Sequence, residues 1–372
     1  MAVLDAIVAP ALAPWDLLGL ELHFLDAVAS RETSPLLLVY AIPGRLVSIG
    51  RYHMYSTPAS APDEHGGICV MRRLTGGRVV GAGEGWLGVA LILPTRTSLL
   101  KEQTPGLKPE QIMNRYARGL LAALRIVGLD CFYPGRDAIT FDKREIAMCS
   151  FETNASGAML FEVIVAVNRG MEEVVHDLER VDPDGTLTCR MYGRDSASKV
   201  VRELGRDIAF AELADAIVTG YASALGEAAP EGRLELVRRD FSADEVAQGA
   251  HRGATLEKEG WLNAIAAPGG DLNKKDRKAE LANRQASQLG AIEARVAIGA
   301  DGTIERALLS GDFIANSPGI AEFQDELRGK PLDLVSVSRA VTKSFARGDQ
   351  SQNFILGIGE LANLARLVAQ VQ

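Results

Sequence analysis

Aliphatic and β-branched residues gather in short runs, each closed by glycine, proline or aspartate, through the first half of the chain. PLLLVYAI (Pro35–Ile42), RLVSIG (Arg45–Gly50), ICVMRR (Ile68–Arg73), WLGVALILP (Trp86–Pro94), AITFD (Ala138–Asp142) and LFEVIVAVN (Leu160–Asn168) have the length and residue types of strands. Between them the apolar period lengthens to three or four. Ile112, Tyr116, Leu120, Leu124 and Val127 mark an amphipathic helix over 109–127 that stops at Gly128, where a glycine accepts the left-handed cap. Leu213, Ile217, Tyr221 and Leu225 repeat that stripe in Phe210–Leu225, so both helices are expected to cover one sheet.

The pattern changes after Arg233. From there to Gln288 the chain turns polar, and PGGDLNKKDRKAELANRQ reads as an exposed connector with little apolar matter to anchor it. AIEARVAI and IERALLSGDF follow, separated by Gly299, Asp301 and Gly302, which is a hairpin signature. Helices near 319–327 and 334–345 complete a small unit, and no internal repeat is visible. A chain of 372 residues exceeds the size at which one core keeps growing. The expected organisation is a larger first domain over 1–235, a polar connector over 236–288 and a smaller second domain over 289–372. The fold class is α+β: a mixed or antiparallel sheet flanked by helices, plus a small α+β accessory domain.

Charge and composition narrow the partners. A net charge of −8 argues against a general nucleic-acid or anionic-membrane surface, while leaving room for a local basic pocket. The amino terminus carries Asp5 before any basic residue, unlike a secretory signal. The longest uncharged runs, Ala6–Trp15 and Gly85–Pro94, are about half of the ~20 residues that a membrane-spanning helix requires. A cytoplasmic protein is expected, with Cys69, Cys131, Cys149 and Cys189 reduced, since no CxxC spacing occurs. His65 and Cys69 have a ligand-like interval, but two isolated candidates do not make a zinc site.

One stretch stands apart, RRLTGGRVVGAGEGWLGVALILP from Arg72 to Pro94. Consecutive glycines let backbone amides approach an anion closely, and arginines beside them would clamp a carboxylate or phosphate. The alternative is a glycine-rich strand connection whose arginines are solvated. Arg72-Arg73-Leu74-Thr75-Gly76-Gly77 followed by Val79-Val80 resembles the adenylate-binding loop of the lipoate–protein ligase and biotin–protein ligase superfamily. LVSIGRYHMYS upstream, GRDAITFD downstream and AIEARVAIGADGTIERALLSGDF near the end are similar to further segments of the long lipoate ligases, in the same order. This resemblance implies an ATP- and Mg2+-dependent ligase. It would attach lipoate or octanoate, through an acyl-adenylate, to a lysine of a lipoyl-carrier domain. It places the nucleotide and acyl group against Arg72, Arg73, Thr75, Gly76, Gly77, Arg78, Val79, Asp137 and Glu145, with an apolar tail along the sheet.

Departures from the family pattern fall where the chemistry would be. Arg78 stands at the loop's third glycine, and Glu145 takes the position of the family lysine when Ile146 is aligned with the family isoleucine. An anion for a cation inverts an interaction of roughly 4 kcal/mol for unit charges 4 Å apart at an effective dielectric near 20. If FDKREIAMCSFE is extended throughout, Lys143, Glu145, Ala147 and Cys149 share one face, and Lys143 would substitute for the lysine. The alternative is a surface Lys-Arg-Glu turn. Asp137 would offer oxygen to Mg2+. Cys149 opens a second chemistry, a cysteine-dependent octanoyl or lipoyl transferase, and needs a neighbouring cation to lower its pKa; a small buried cysteine is the plainer reading. A noncatalytic acyl-binding scaffold is the third possibility. His53 sits in the loop after the second strand, near where the family binds its ligand; His23 packs on the helix LGLELHFLDAVAS, and His176 and His251 read as surface residues.

Overall fold

The computed structural model describes residues 2–55, 67–101, 108–182, 196–229, 232–263, 277–346 and 353–372. The unit expected to be catalytic runs β1 (Ala2–Ala9), α1 (Pro14–Ala29), β2 (Leu36–Ala41), β3 (Arg45–Ile49), β4 (Ile68–Arg72), β5 (Val80–Gly83), β6 (Trp86–Leu93) and α2 (Pro109–Ile126). It continues through β7 (Ala138–Phe141), β8 (Arg144–Thr153), β9 (Met159–Ala166), α3 (Val175–Val181), α4 (Val200–Leu204), α5 (Phe210–Ala228), β10 (Leu234–Arg238) and α6 (Ala243–Lys258). The accessory unit holds β11 (Arg277–Ala286), β12 (Ala291–Gly299), β13 (Ile304–Gly311), β14 (Ile314–Ala315), α7 (Ser317–Leu327), α8 (Leu334–Phe345), β15 (Ile355–Leu356) and α9 (Leu361–Ala369).

A seven-stranded mixed sheet in the order β10-β1-β2-β6-β9-β8-β7 forms the backbone of the catalytic unit. Its central strand β6 is buried along its whole length, which accounts for the unbroken apolar run WLGVALIL. Alternation then divides the core. Leu87, Val89, Leu91 and Leu93 join α2 and α5 on one face, while Trp86, Ala90 and Ile92 join α1 and the small sheet β4-β3-β5 on the other. The two amphipathic helices thus cover one face together, as their stripes predict. Among the described residues no helix is long and apolar enough to cross a membrane.

The polar stretch after Arg233 is organised differently from a free connector. β10 adds a parallel edge strand beside β1, and α6 lies along α1. Contact there is made through glycines rather than an apolar stripe: a side chain at Gly253 would strike the Trp15 carbonyl, and one at Gly249 would strike Leu20. Residues 236–258 therefore belong to the catalytic unit, and β11, also inside the expected connector, pairs with β12 in the accessory sheet. Residues 268–276 of PGGDLNKKDRKAELANRQ lie outside the described residues.

The two units share their cores. Tyr52, from the loop after β3, is buried among Val296, Phe313 and Ile320 of the accessory unit, while Leu289, Ile314 and Phe354 of that unit enter the core around Phe151 and Phe161. Rings stack across the seam, Tyr52 on Phe313 at 4.8 Å and Phe151 on Phe354 at 4.4 Å. This packing positions the glycine loop.

Candidate functional site at the glycine loop

Residues 73–79 connect β4 to β5 and cross the sheet face opposite α2 and α5. Gly77 takes φ +90, a left-handed backbone that L side chains rarely adopt, so the turn needs glycine there. Arg73 folds the loop on itself: its guanidinium donates to the carbonyls of Ser48 (3.1 Å), Gly76 (2.6 Å) and Arg78 (2.7 Å) and to Thr75 Oγ1 (3.2 Å). Ser150 Oγ on β8 donates to the Gly76 carbonyl at 2.9 Å, and the Thr75 hydroxyl donates to the Glu162 carboxylate on β9. Val79 is fully buried beneath.

All three arginines that the sequence places around an anion point inward, with Arg72 0%, Arg73 1% and Arg78 1% exposed. Arg72 is caged by carbonyls, donating to Leu262 (3.0 and 2.8 Å), Gly50 (3.3 Å), Arg51 (2.8 Å) and His53 (2.6 Å). Burial, with the Arg51 charge nearby, pushes its guanidinium down to about 9, still cationic at neutral pH. Trp261 closes the cage, donating its indole N–H to the Arg72 carbonyl at 2.8 Å while Arg51 lies 5.0 Å over its ring. The arginines build the loop rather than line an open mouth.

Arg78 reaches in the other direction. Its Nε and Nη2 form a fork on Asp137, at 2.6 and 3.1 Å, and Nη2 also meets Glu145 Oε2 at 3.0 Å. Both Asp137 oxygens are spent on this pair. Burial pushes the Glu145 carboxyl up, with Arg78 pulling against it and Asp137 adding to the rise. Arg78 thus neutralises Glu145. On the other side of Asp137 a cleft of ≈ 70 Å³ separates Glu110, Tyr133 and Arg136 from Leu289, Ile314 and Gly357 of the accessory unit.

Lys143 does not share the strand face with Glu145. Phe141 pairs with Arg144, so Asp142 and Lys143 form a two-residue hairpin turn, with φ +46 and +65, the left-handed pair that such turns require. Alternation begins only at Arg144, and Lys143 is exposed at the tip. Lys143 is therefore not on the Glu145 face, where a substitute lysine would have to stand. Cys149 is wholly enclosed between Tyr133 and Tyr221, and burial, reinforced by Asp137, pushes its thiol far up from the ordinary value. His53 Nε2 lies 3.1 Å from both the Gly77 carbonyl and Asp312 Oδ1. His65 and Cys189 lie outside the described residues, and among the described ones no three His, Cys, Asp or Glu side chains form a metal cluster.

The accessory unit closes the loop from above. Gly77 N–H donates to the Phe313 carbonyl at 2.6 Å, and a side chain at Gly76 would collide with that same carbonyl. Below, two acids add a feature that the pattern of residues does not reveal. Glu21 of α1 and Glu162 share a hydrogen bond in full burial; burial and then Glu162 raise Glu21 well above its ordinary value, and burial raises Glu162 against the pull of Arg73. Glu162 within the apolar run LFEVIVAV was the available signal, because an acid on a core strand requires partners.

The fold has known counterparts. The chain is similar to P. falciparum LipL1, solved in complex with lipoate, at a TM-score of 0.66 with 12% identity, covering 99% of each chain. It is similar to lipoate-protein ligase A bound with ATP at a TM-score of 0.50 with 15% identity, covering 70% of this chain and 96% of that one. A third similar structure is the bi-partite lipoate protein ligase of Thermoplasma acidophilum, solved with its E2 lipoyl domain (TM-score 0.49, 15% identity, 72% and 99% covered). A search among curated proteins finds no match. Residues 13–222 match the family described as Lipoyl protein ligase A/B catalytic domain, more than half of the chain, and the protein belongs to that family.

Proposed function

We propose that this protein acts as a lipoate–protein ligase-like enzyme, recognising lipoate or a related short acyl carboxylate such as octanoate and joining it to a lysine of a lipoyl-carrier domain. The observation that carries this reading is the family match over residues 13–222, which encloses the whole glycine loop and its supports on β8 and β9. The chain's own residues would do the following. Arg73 and Thr75 fix the loop's shape, and the apolar face of β6 and β9 offers a wall for the tail.

ATP and Mg2+ enter through the family, and the docked loop does not fit a phosphate. Its Gly77 amide is given to Phe313, its arginines are engaged, and Asp137 has both oxygens on Arg78. A noncatalytic acyl-binding scaffold is the second reading, favoured by the Arg78–Glu145 pair where the family carries a lysine. The transferase reading has less support, since the Cys149 thiol is enclosed and resists ionisation.

Intact masses separate the three. The purified chain is incubated with a lipoyl-carrier domain, lipoate or octanoate, with and without ATP and Mg2+. Gain of one acyl group by the carrier only with ATP is the expected outcome. Acyl on this chain that disappears in Cys149→Ala would establish the transferase, and ligand retention without any transfer would establish the scaffold.

A further inference from the structure

Glu152, near the end of β8, is a fully buried acid on the seam between the two units, and nothing in the proposed reaction uses it. Its Oε1 accepts the Ser317 amide at 2.6 Å, at the first residue of α7, and its Oε2 meets the Tyr52 hydroxyl at 2.9 Å. The same hydroxyl lies 3.1 Å from the Ala315 carbonyl. A tyrosine has one proton to give. If Glu152 is protonated, it donates to Tyr52, and Tyr52 passes its own proton to Ala315, so that every oxygen in the relay is served. If Glu152 is ionised, Tyr52 must turn its proton to the carboxylate, the Ala315 carbonyl loses this donor, and a charge is buried in the seam.

We propose that the accessory unit is a built-in plug of the glycine loop, holding Gly77 N–H through the Phe313 carbonyl, and that protonation of Glu152 sets how firmly it grips. The contacts belong to one short extended stretch: Phe313, Ala315 and Ser317 are successive alternate residues, so loosening the Ser317 end is transmitted to the carbonyl that occupies the loop. One charged group, Arg51, acts on Glu152, together with neutral donors from Tyr52 and Ser317. Arg51 and the start of α7 favour the anion; burial opposes them and is larger, pushing the carboxyl up to about 7 from an ordinary 4.5. The docked state therefore keeps a proton that the undocked state releases. Docking is tightest below pH 4.5, weakens as pH rises, and has lost this contribution above about 7, by at most about 300-fold in the docking equilibrium. His53 beside Asp312 is a second ionisable contact on the seam, and Glu110 and Arg136 face the accessory unit across the neighbouring cleft.

The inference rests on the loop being the place where the acyl group or its activated form binds, but its test needs no ligand. Hydrogen exchange at the Gly77 and Ser317 amides is measured on the full chain from pH 5 to 8.5 and corrected for the intrinsic base-catalysed rate. The wild type is expected to show opening that rises from pH 5 to about 7 and levels off above it, at both amides together. Glu152→Gln should be flat with pH, and His53→Gln should keep the rise. An equal rise in Glu152→Gln, a flat wild type, or a rise abolished by His53→Gln would each overturn the proposal. Should Glu152→Gln not fold, the carboxyl-carbon shift of Glu152 in the wild type decides, a midpoint near its ordinary 4.5 being fatal. Failure of acyl transfer with this exchange behaviour intact would remove the proposed function and leave the plug standing.

Discussion

Arg78 is the residue at which position and use diverge most. Its place in the glycine stretch suggested a clamp on an external anion, whereas its guanidinium is committed to Asp137 and Glu145. Removing one partner of a buried ion pair leaves the other charge uncompensated, so Arg78→Ala is expected to cost about 3–5 kcal/mol in urea unfolding. Glu145→Gln should cost less, because that side chain is 17% exposed and the fork to Asp137 survives. A loss below about 1 kcal/mol for Arg78→Ala would mean that the guanidinium is not held by these acids and is available to a ligand. The location of the loop was readable from residue order alone. Its occupancy was not, because the groups that engage it, Leu262, Phe313, Glu162 and Asp137, come from distant parts of the chain and no local pattern ties them to it.

Elements whose burial relies on a stripe of large apolar residues are the ones that the hydrophobic pattern locates. β2, β3, β4, β6 and β7 fall within the expected runs, β9 begins one residue ahead of its run, and α2 and α5 face one side of the sheet through Ile112, Tyr116, Leu213 and Tyr221. α6 escaped because it buries only Gly249 and Gly253, which give no apolar signal and draw the helix close to α1. Charged contacts then tie its flank, Arg252 to Asp26 at 2.5 Å and Arg239 to both Glu245 and Asp5. Lys143 shows the converse, a residue whose spacing fits a strand but whose chain turns. Gly253→Leu tests the glycine account. Its first side-chain atom would meet the Trp15 carbonyl, so the helices must separate, with a loss of about 1–3 kcal/mol. Gln248→Leu, on the exposed side of the same helix, should stay within about 0.5 kcal/mol by the same denaturation measurement. Equal effects for the two would show that α6 does not rest on α1.

At the scale of the whole molecule, the seam between the units has the character of a core rather than of a surface contact. Tyr52 completes the accessory core, Leu289, Ile314 and Phe354 complete the catalytic one, and neither unit closes its apolar interior alone. Such mutual completion makes unfolding of the two units cooperative, and it makes docking vulnerable at a few aromatic anchors. Phe354 is the cleanest of these, since its ring stacks at 4.4 Å on Phe151, whose side chain leaves β8 on the face opposite Glu152. Phe354→Ala removes a buried ring, at a cost of about 3–5 kcal/mol drawn mostly from docking. Calorimetry should then resolve one transition into two, the larger belonging to the seven-stranded unit and lying close to the original midpoint. In the same variant, exchange at the Gly77 amide should rise at acidic pH as well as alkaline, because the plug has lost its anchor while Glu152 keeps its proton. A single transition that merely shifts downward, with Gly77 still protected, would show that the units are joined by contacts other than this aromatic seam.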